Sequence, residues 1–174
     1  MAATQAFPEI VAELGALCGI SRPAGQCFAA IWRAAQPPCA DDLTQTLGLS
    51  RSNVSTALKE LREWGLIARA RAPADRKDYF TAPPDPWEIV RLLIGGRQRR
   101  VVAPLLDRLV AAEAASGDAR IAALHETLAT LSARMEALVA LDAAKLAALF
   151  EADPGDEAAS GQAPGKKKKK KKKG

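Results

Sequence analysis

Asp41-Asp-Leu-Thr-Gln-Thr-Leu47-Gly-Leu-Ser50-Arg-Ser-Asn-Val-Ser-Thr-Ala-Leu-Lys-Glu-Leu-Arg-Glu-Trp64-Gly65 is the stretch whose reading decides the fold. Leu43 and Leu47, spaced i,i+4, predict one short helix. Gly48 supplies a left-handed turn, and Leu49 plugs the core beneath it. Ser50 is a good N-cap for a second helix that runs to Trp64 and is ended by Gly65. Val54, Leu58 and Leu61 face inward in that helix, with Ala57 as a close-packing position. Arg51, Ser52, Ser55, Thr56 and Lys59 lie on the opposite side. Two helices joined by a tight turn, the second polar and basic outside, form a helix-turn-helix signal.

Downstream, Leu66-Ile-Ala-Arg-Ala-Arg71 has period-two features, Ala72-Pro-Ala-Asp-Arg-Lys77 is a turn, and Asp78-Tyr-Phe-Thr81 is a β-prone run. This predicts a two-stranded wing with Arg76 and Lys77 at or near its tip, and with Arg69 and Arg71 on one side of its first strand. Upstream, residues 8–18 predict a helix that starts at Pro8 and carries Ile10, Leu14, Leu17 and Cys18 near one face. Ser21-Arg-Pro23 opens another, running to about Ala35 with Cys27, Phe28, Ile31 and Trp32 as apolar contacts, and Gln36-Pro-Pro38 closes it.

Pro83-Pro-Asp-Pro86 reads as a rigid hinge. Trp87 to about Ala115 is a long helical pattern interrupted by Gly95-Gly96 and Pro104, which leaves open a kink or two shorter helices. Ser116-Gly-Asp118 separates it from a last helix, Ala119 to Phe150. The stripe from Ile121 through Leu124, Leu128, Leu131 and Met135 to Leu149 suits a bundle or coiled coil. Such helices expose too much apolar surface to stand alone, so they predict a homodimer interface. The expected fold class is mostly α: a winged helix-turn-helix with a two-stranded β-wing and long dimerisation helices. The expected divisions are N-terminal helices (1–38), the winged DNA-binding domain (39–84), a helical dimerisation region (85–150), and an acidic linker with a polylysine tail (151–174).

The formal charge of +5 conceals this organisation. Residues 166–173 are eight consecutive lysines, so the rest of the chain is net −3. Residues 51–108 carry twelve basic against seven acidic side chains, whereas residues 109–165 carry three against nine. The middle of the chain is therefore the part that should approach an anionic polymer, with double-stranded DNA as the expected partner. The tract 166–173 and its Gly/Pro/Ala-rich linker are not expected to fold.

Several function classes are excluded or weakened. No stretch approaches eighteen consecutive apolar residues, so no membrane partner is expected. The start of the chain lacks a basic segment followed by an apolar one, which argues against a secretory signal. The cysteines Cys18, Cys27 and Cys39 are odd in number and form no CxxC pair, and His125 has no local ligand partner; neither a metal nor another cofactor is expected. These features read as a cytoplasmic protein with reduced thiols. No Ser/His/Asp, HExxH, GxxxxGK or paired-carboxylate arrangement appears, so no catalytic residue is assigned and an enzyme is not expected.

Leu43 to Ile67 resembles the winged-helix core of MarR-superfamily regulators. Asn53-Val-Ser-x-x-Leu-x-x-Leu-x-x-Trp-Gly-Leu66 is similar to the recognition helix of the GbsR-like branch. Pro73-Ala-Asp-Arg-Lys-Asp-Tyr79 looks like that branch's wing, and Trp87 like the aromatic that opens its next helix. Ile20-Ser-Arg-Pro-Ala-Gly-Gln26 resembles the start of its second helix. The resemblance covers roughly residues 8–115 and implies a homodimeric, cytoplasmic regulator of transcription, often a repressor. Some members of the branch resemble sensors of choline or glycine betaine, which makes a small-molecule effector an expectation. Trp32 and Trp87 are the pocket tryptophans it would use.

On this reading Arg51, Ser52, Asn53, Ser55, Thr56 and Lys59 contact the major groove and phosphates, with Asn53 alternatively stabilising the turn. Arg69 and Arg71 contact phosphates, and Arg76 and Lys77 enter the minor groove or clamp phosphates. Arg97, Arg99 and Arg100 are either phosphate contacts or interface partners. The rival readings are a constitutive nucleoid or accessory DNA-binding protein without an effector, and a redox-responsive repressor using cysteine, for which Cys39 near a helix N-terminus is the first position to test.

Overall fold

A computed structural model of the chain describes residues 2–71 and 77–151, excluding the side chains of residues 2–5 and 71. The elements are α1 (Ala2–Cys18), α2 (Arg22–Arg33), α3 (Ala40–Leu47), α4 (Arg51–Trp64), β1 (Ala68–Arg71), β2 (Asp78–Thr81), α5 (Pro86–Arg97), α6 (Ala103–Ser116), α7 (Ala119–Val139) and α8 (Ala143–Glu151). The fold class is as expected: mostly α, with a two-stranded antiparallel wing and long flanking helices. In the wing Ala68 pairs with Thr81 and Arg71 with Asp78. No helix among the described residues is long and apolar enough to cross a membrane.

The winged core forms where local signals agree. Ser50 Oγ accepts from Asn53 N at 3.2 Å to start α4. Gly48 and Gly65 end α3 and α4 in left-handed conformations (φ +65° and +75°), which a side chain would strain. The inner face of α4 buries Val54, Ala57, Leu58, Leu61 and Trp64. They share one core with Leu43 of α3, Cys27, Phe28 and Ile31 of α2, and Phe80 of β2. Burial of each large side chain contributes about 1.5–3 kcal/mol, so helix and wing hold each other in place. Glu60 extends the attachment: one carboxylate oxygen accepts Ser21 N at 2.8 Å and the other Ser21 Oγ at 2.5 Å, fastening α4 to the N-terminus of α2.

Two sequence expectations are corrected, and one that was open is resolved. First, α1 begins at Ala2, so Pro8 lies inside the helix rather than in its first turn. Its buried residues are Ala12 and Gly15, while Ile10, Leu14 and Leu17 are 52%, 58% and 74% exposed. The reason is close helix crossing: a Cβ on Gly25 would stand 2.6 Å from Ala12 Cα, so α1 and α2 meet almost backbone to backbone. Large side chains are excluded from that seam.

Second, the interruption expected after Trp87 is resolved as two helices, α5 and α6, with no loop between them. Residues Gln98–Val102 form a π-helical stretch joining α5 to α6 just before Pro104, a local widening that accommodates a residue with no N–H to donate. The glycines serve tertiary packing instead. A Cβ on Gly95 would lie 2.9 Å from Val139 Cγ1, and one on Gly96 would lie 2.6 Å from Trp64 Cζ3. Gln98 is buried and donates from Nε2 to Ser132 Oγ at 2.6 Å, satisfying the polar groups beside the π-helical stretch.

Third, the last helix is not continuous. It stops at Val139 and restarts at Ala143, with Asp142 Oδ1 accepting Lys145 N at 2.8 Å. This cap competes locally with the leucine stripe, and α8 turns back onto α5. Leu146 is buried there, and Phe150 stacks on Trp87 at 5.8 Å between ring centroids. Arg91 secures the corner by pairing with Glu88 at 2.6 Å and donating to Val139 O at 3.4 Å.

Candidate nucleic-acid interface

Helix α4 presents Arg51, Ser52, Asn53, Ser55, Thr56 and Lys59 to solvent, all exposed, directly opposite its buried face. Their roles in local structure differ. Ser52 Oγ lies 3.0 Å from Ser50 Oγ, so it also takes part in the capping turn. Asn53 contributes its backbone N–H to the Ser50 cap, which leaves its carboxamide on the exposed side. Ser55 and Thr56 sit one turn further along, short enough to let backbone and base edges approach closely.

The wing stands beside this face because Phe80 is buried in the core and Phe80 N donates to Pro38 O at 3.0 Å. Cys39 bridges to Tyr79 and starts α3, so the end of β2 and the start of α3 are tied together. Asp41 on α3 then links both halves of the surface: its two carboxylate oxygens lie 3.4 Å from Arg51 Nη2 and 3.6 Å from Lys77 Nζ. Asp42 holds the same helix start by accepting Cys39 N at 2.8 Å. That hydrogen bond, and a further one from the Cys39 side chain, keep the Asp42 carboxyl below its ordinary value.

Between α4 and the wing lies a groove of about 420 Å³, lined by Ser55, Lys59, Arg62, Arg69, Lys77 and Asp78 among others. Three of its cations, Lys59, Arg69 and Lys77, have carboxylate neighbours. Lys59 Nζ is 4.0 Å from Glu63, and Arg69 Nε is 3.3 Å from Asp78. Exposed pairs of this kind are worth about 0–1 kcal/mol, so a phosphate can replace the carboxylate at little cost. The groove can therefore track an anionic backbone while the tip of the exposed helix face remains open.

The site assigned from sequence is thus brought together at Arg51, Ser52, Asn53, Ser55, Thr56, Lys59, Arg69 and Lys77. Arg76 lies outside the described residues, as does the side chain of Arg71. Arg62 was missed. It follows Lys59 by three residues, so the helical repeat alone could have placed both on one face. Arg97 and Arg100 have intramolecular partners: Arg97 Nη1 donates to Leu17 O at 2.8 Å, and Arg100 pairs with Glu63 at 3.5 Å while its guanidinium lies 5.6 Å from the Trp64 ring centroid.

Residues 34–78 match the family model described as MarR family. A solved structure described as a transcriptional regulator is 22% identical, the match covering 78% of this chain and 94% of that one, with a TM-score of 0.63. The MarR family match is thus confined to the winged core, and the chain shares its winged-helix fold with that solved regulator. The transcriptional regulator BldR from Sulfolobus solfataricus also matches, at 20% identity over 75% of this chain and 86% of its own, with a TM-score of 0.39. So does the transcriptional regulator Tm0710 from Thermotoga maritima, at 19% identity over 79% and 99%, with a TM-score of 0.37. No curated protein matches the chain.

Within this winged-helix fold the two tryptophans assigned to an effector fall in different places. Trp32 stacks on Phe7 at 6.1 Å and lines an apolar pocket between the winged core and α1 and α5. Trp87 stacks on Phe150, donates from Nε1 to Glu151 at 3.2 Å, and is not among the residues lining that pocket. The thiols of Cys18, Cys27 and Cys39 are free. Burial pushes the Cys27 thiol up to about 12, which leaves almost no thiolate at neutral pH. Among the described residues no group of His, Cys, Asp and Glu could hold a metal ion.

Proposed function

We propose that the protein is a homodimeric, sequence-specific DNA-binding regulator of transcription that acts as a repressor. The observation that carries this reading is the exposed Ser52, Ser55, Thr56 and Lys59 face of α4 beside a basic groove continuous with the wing. Short hydroxyl side chains in the major groove read base edges, and Lys59, Arg62, Arg69 and Lys77 neutralise phosphates on either side. Arg71 and Arg76 extend the same surface in sequence. The Lys166–Lys173 tract adds sequence-independent attraction to the DNA backbone.

Dimerisation is supported by apolar side chains that the single chain leaves exposed: Ile10, Leu14 and Leu17 on α1, Leu105 on α6, and Leu124 and Leu131 on α7. A two-fold pair would present two copies of α4 to half-sites about one helical turn apart, roughly 34–36 Å. Selection of bound sequences from random duplexes tests the reading. The expected product is a pseudo-palindrome with that spacing; recovery of unselected sequence would favour the constitutive nucleoid role.

A small effector completes the proposal. The GbsR-like resemblance offers choline or glycine betaine, with Trp32 as the residue that lines a pocket. The redox alternative is less well supported, because Cys27 and Cys39 are buried and the Cys27 thiol is held protonated.

A further inference from the structure

Ion pairs recur along the groove between α4 and the wing, and they differ in what they join. Lys59–Glu63 stays within α4, and Arg69–Asp78 stays within the wing. Asp41 crosses between elements. It stands in the first turn of α3 and pairs with Arg51, the first residue of α4, and with Lys77, which directly precedes β2. One carboxylate therefore spans α3, α4 and the wing, the three parts that make up this surface.

That carboxylate has a fixed support. Leu43, two residues on, is buried in the core, and Cys39, two residues before, bridges to Tyr79 of β2. Asp42 accepts Cys39 N and is committed to the helix start, so Asp41 is the acid that faces the groove. Its two partners are more exposed than it is, 85% for the Arg51 side chain and 56% for Lys77 against 48% for Asp41. Exposed pairs of this kind add little to stability. Their consequence lies in binding. A rigid anchor beneath two long, flexible cations limits where those charges stand before DNA arrives, and such preorganisation lowers the cost of one particular bound geometry. A random duplex is held through its phosphates in many registers, so it gains nothing from a fixed spacing. The negative charge itself opposes every phosphate backbone alike.

We propose that Asp41 is a positioning residue for DNA discrimination: by holding Arg51 and Lys77 at one spacing, it favours a selected duplex over random DNA. The inference rests on the DNA-binding reading. Removing the carboxylate strengthens attraction to any duplex, because the surface loses a negative charge. It also loosens the spacing that a single register uses. Random DNA receives the gain in full, whereas the selected duplex gains less or loses. One phosphate contact contributes about 0.9 to the slope of log K against log salt, or roughly threefold in affinity for a fourfold change in salt, which sets the scale of the effect.

The test compares Asp41→Asn and Asp41→Ser with the parent by fluorescence anisotropy at fixed salt, on a duplex the protein enriches from a random pool and on an unselected duplex of equal length. Both variants remove the charge with short polar residues that suit a helix start, and circular dichroism checks their helix content. Random duplex should bind about threefold more tightly, and the ratio of selected to random affinity should fall by about threefold or more. Asp41→Glu, which keeps the charge, should restore most of that ratio. In an R51Q/K77Q background, D41N should leave the ratio unchanged, because the partners it acts through are gone. An equal rise on both DNAs would reveal a bulk charge effect and overturn the proposal, as would a fall in ratio that persists in the R51Q/K77Q background. The two readings fail differently. A parent that enriches no duplex removes sequence-specific binding and this role with it, whereas discrimination that survives both D41N and D41S removes the role of Asp41 alone.

Discussion

Gly96 lies so close to the Trp64 indole that a Cβ at this position would stand 2.6 Å from Cζ3, closer than packed carbon atoms approach. Trp64 is the last residue of α4 and Gly96 the penultimate residue of α5. Helices α4 and α5 are therefore in direct steric register. Arg100, above the same indole and paired with Glu63, reinforces that junction.

Gly96→Ala should consequently destabilise the fold. Helix propensity alone favours alanine by about 0.8–1 kcal/mol. Overpacking against a rigid indole costs about 1–3 kcal/mol and outweighs it. Urea denaturation should show the loss; a variant as stable as the parent would mean that Trp64 moves aside freely. Gly95→Ala, whose Cβ would meet Val139 Cγ1 at the longer distance of 2.9 Å, should cost less.

These glycines also show what the sequence could and could not reveal. Helix α4 was legible to the residue, because Ser50 and Gly65 fix its ends through bonds within one turn. The wing was legible because alternation and a turn are local as well. Gly95-Gly96 looked like a break because the partner that demands small residues, Trp64, is more than thirty positions away. The division of the last helix was hidden by an unbroken leucine stripe, although Asp142 carried the capping signal. Trp87 could not be assigned a neighbour, since Phe150 reaches it only after α8 turns back.

Arg62→Ala should weaken operator and random DNA alike and lower the slope of log K against log salt by about one unit, as expected for one lost phosphate contact. Fluorescence anisotropy across a salt series measures it. An unchanged slope would place Arg62 off the DNA path and make the groove between α4 and the wing a structural feature only.

If the chain pairs through α1 as proposed, Leu17→Glu should leave it monomeric at micromolar concentration with helix content retained. Leu17 is 74% exposed in the single chain, so the substitution buries no charge within it. Light scattering with circular dichroism checks both halves of this statement. A variant that stays dimeric would remove α1 from the interface.

Acid should loosen the α5–α7 corner. Hydrogen bonds from Arg91, opposed in part by burial and helped by its charge, keep the Glu88 carboxyl below its ordinary value. A lowered folded value contributes stability above the unfolded value, about pH 4.3, and loses it as pH falls through the folded value. The pair is partly exposed, so the contribution is under about 1 kcal/mol. E88Q should lower stability at neutral pH and flatten the decline below about pH 4.3. Parallel pH profiles for parent and variant would show that Glu88 does not contribute to it.

Competition binding of S55A/T56A at fixed salt, on a selected operator and on random duplex, tests the central claim most directly. If α4 reads base edges, operator affinity should fall by about 1–3 kcal/mol per lost base contact while affinity for random duplex stays nearly constant. An equal loss on both DNAs, or none on either, would contradict the assignment of this face to sequence recognition.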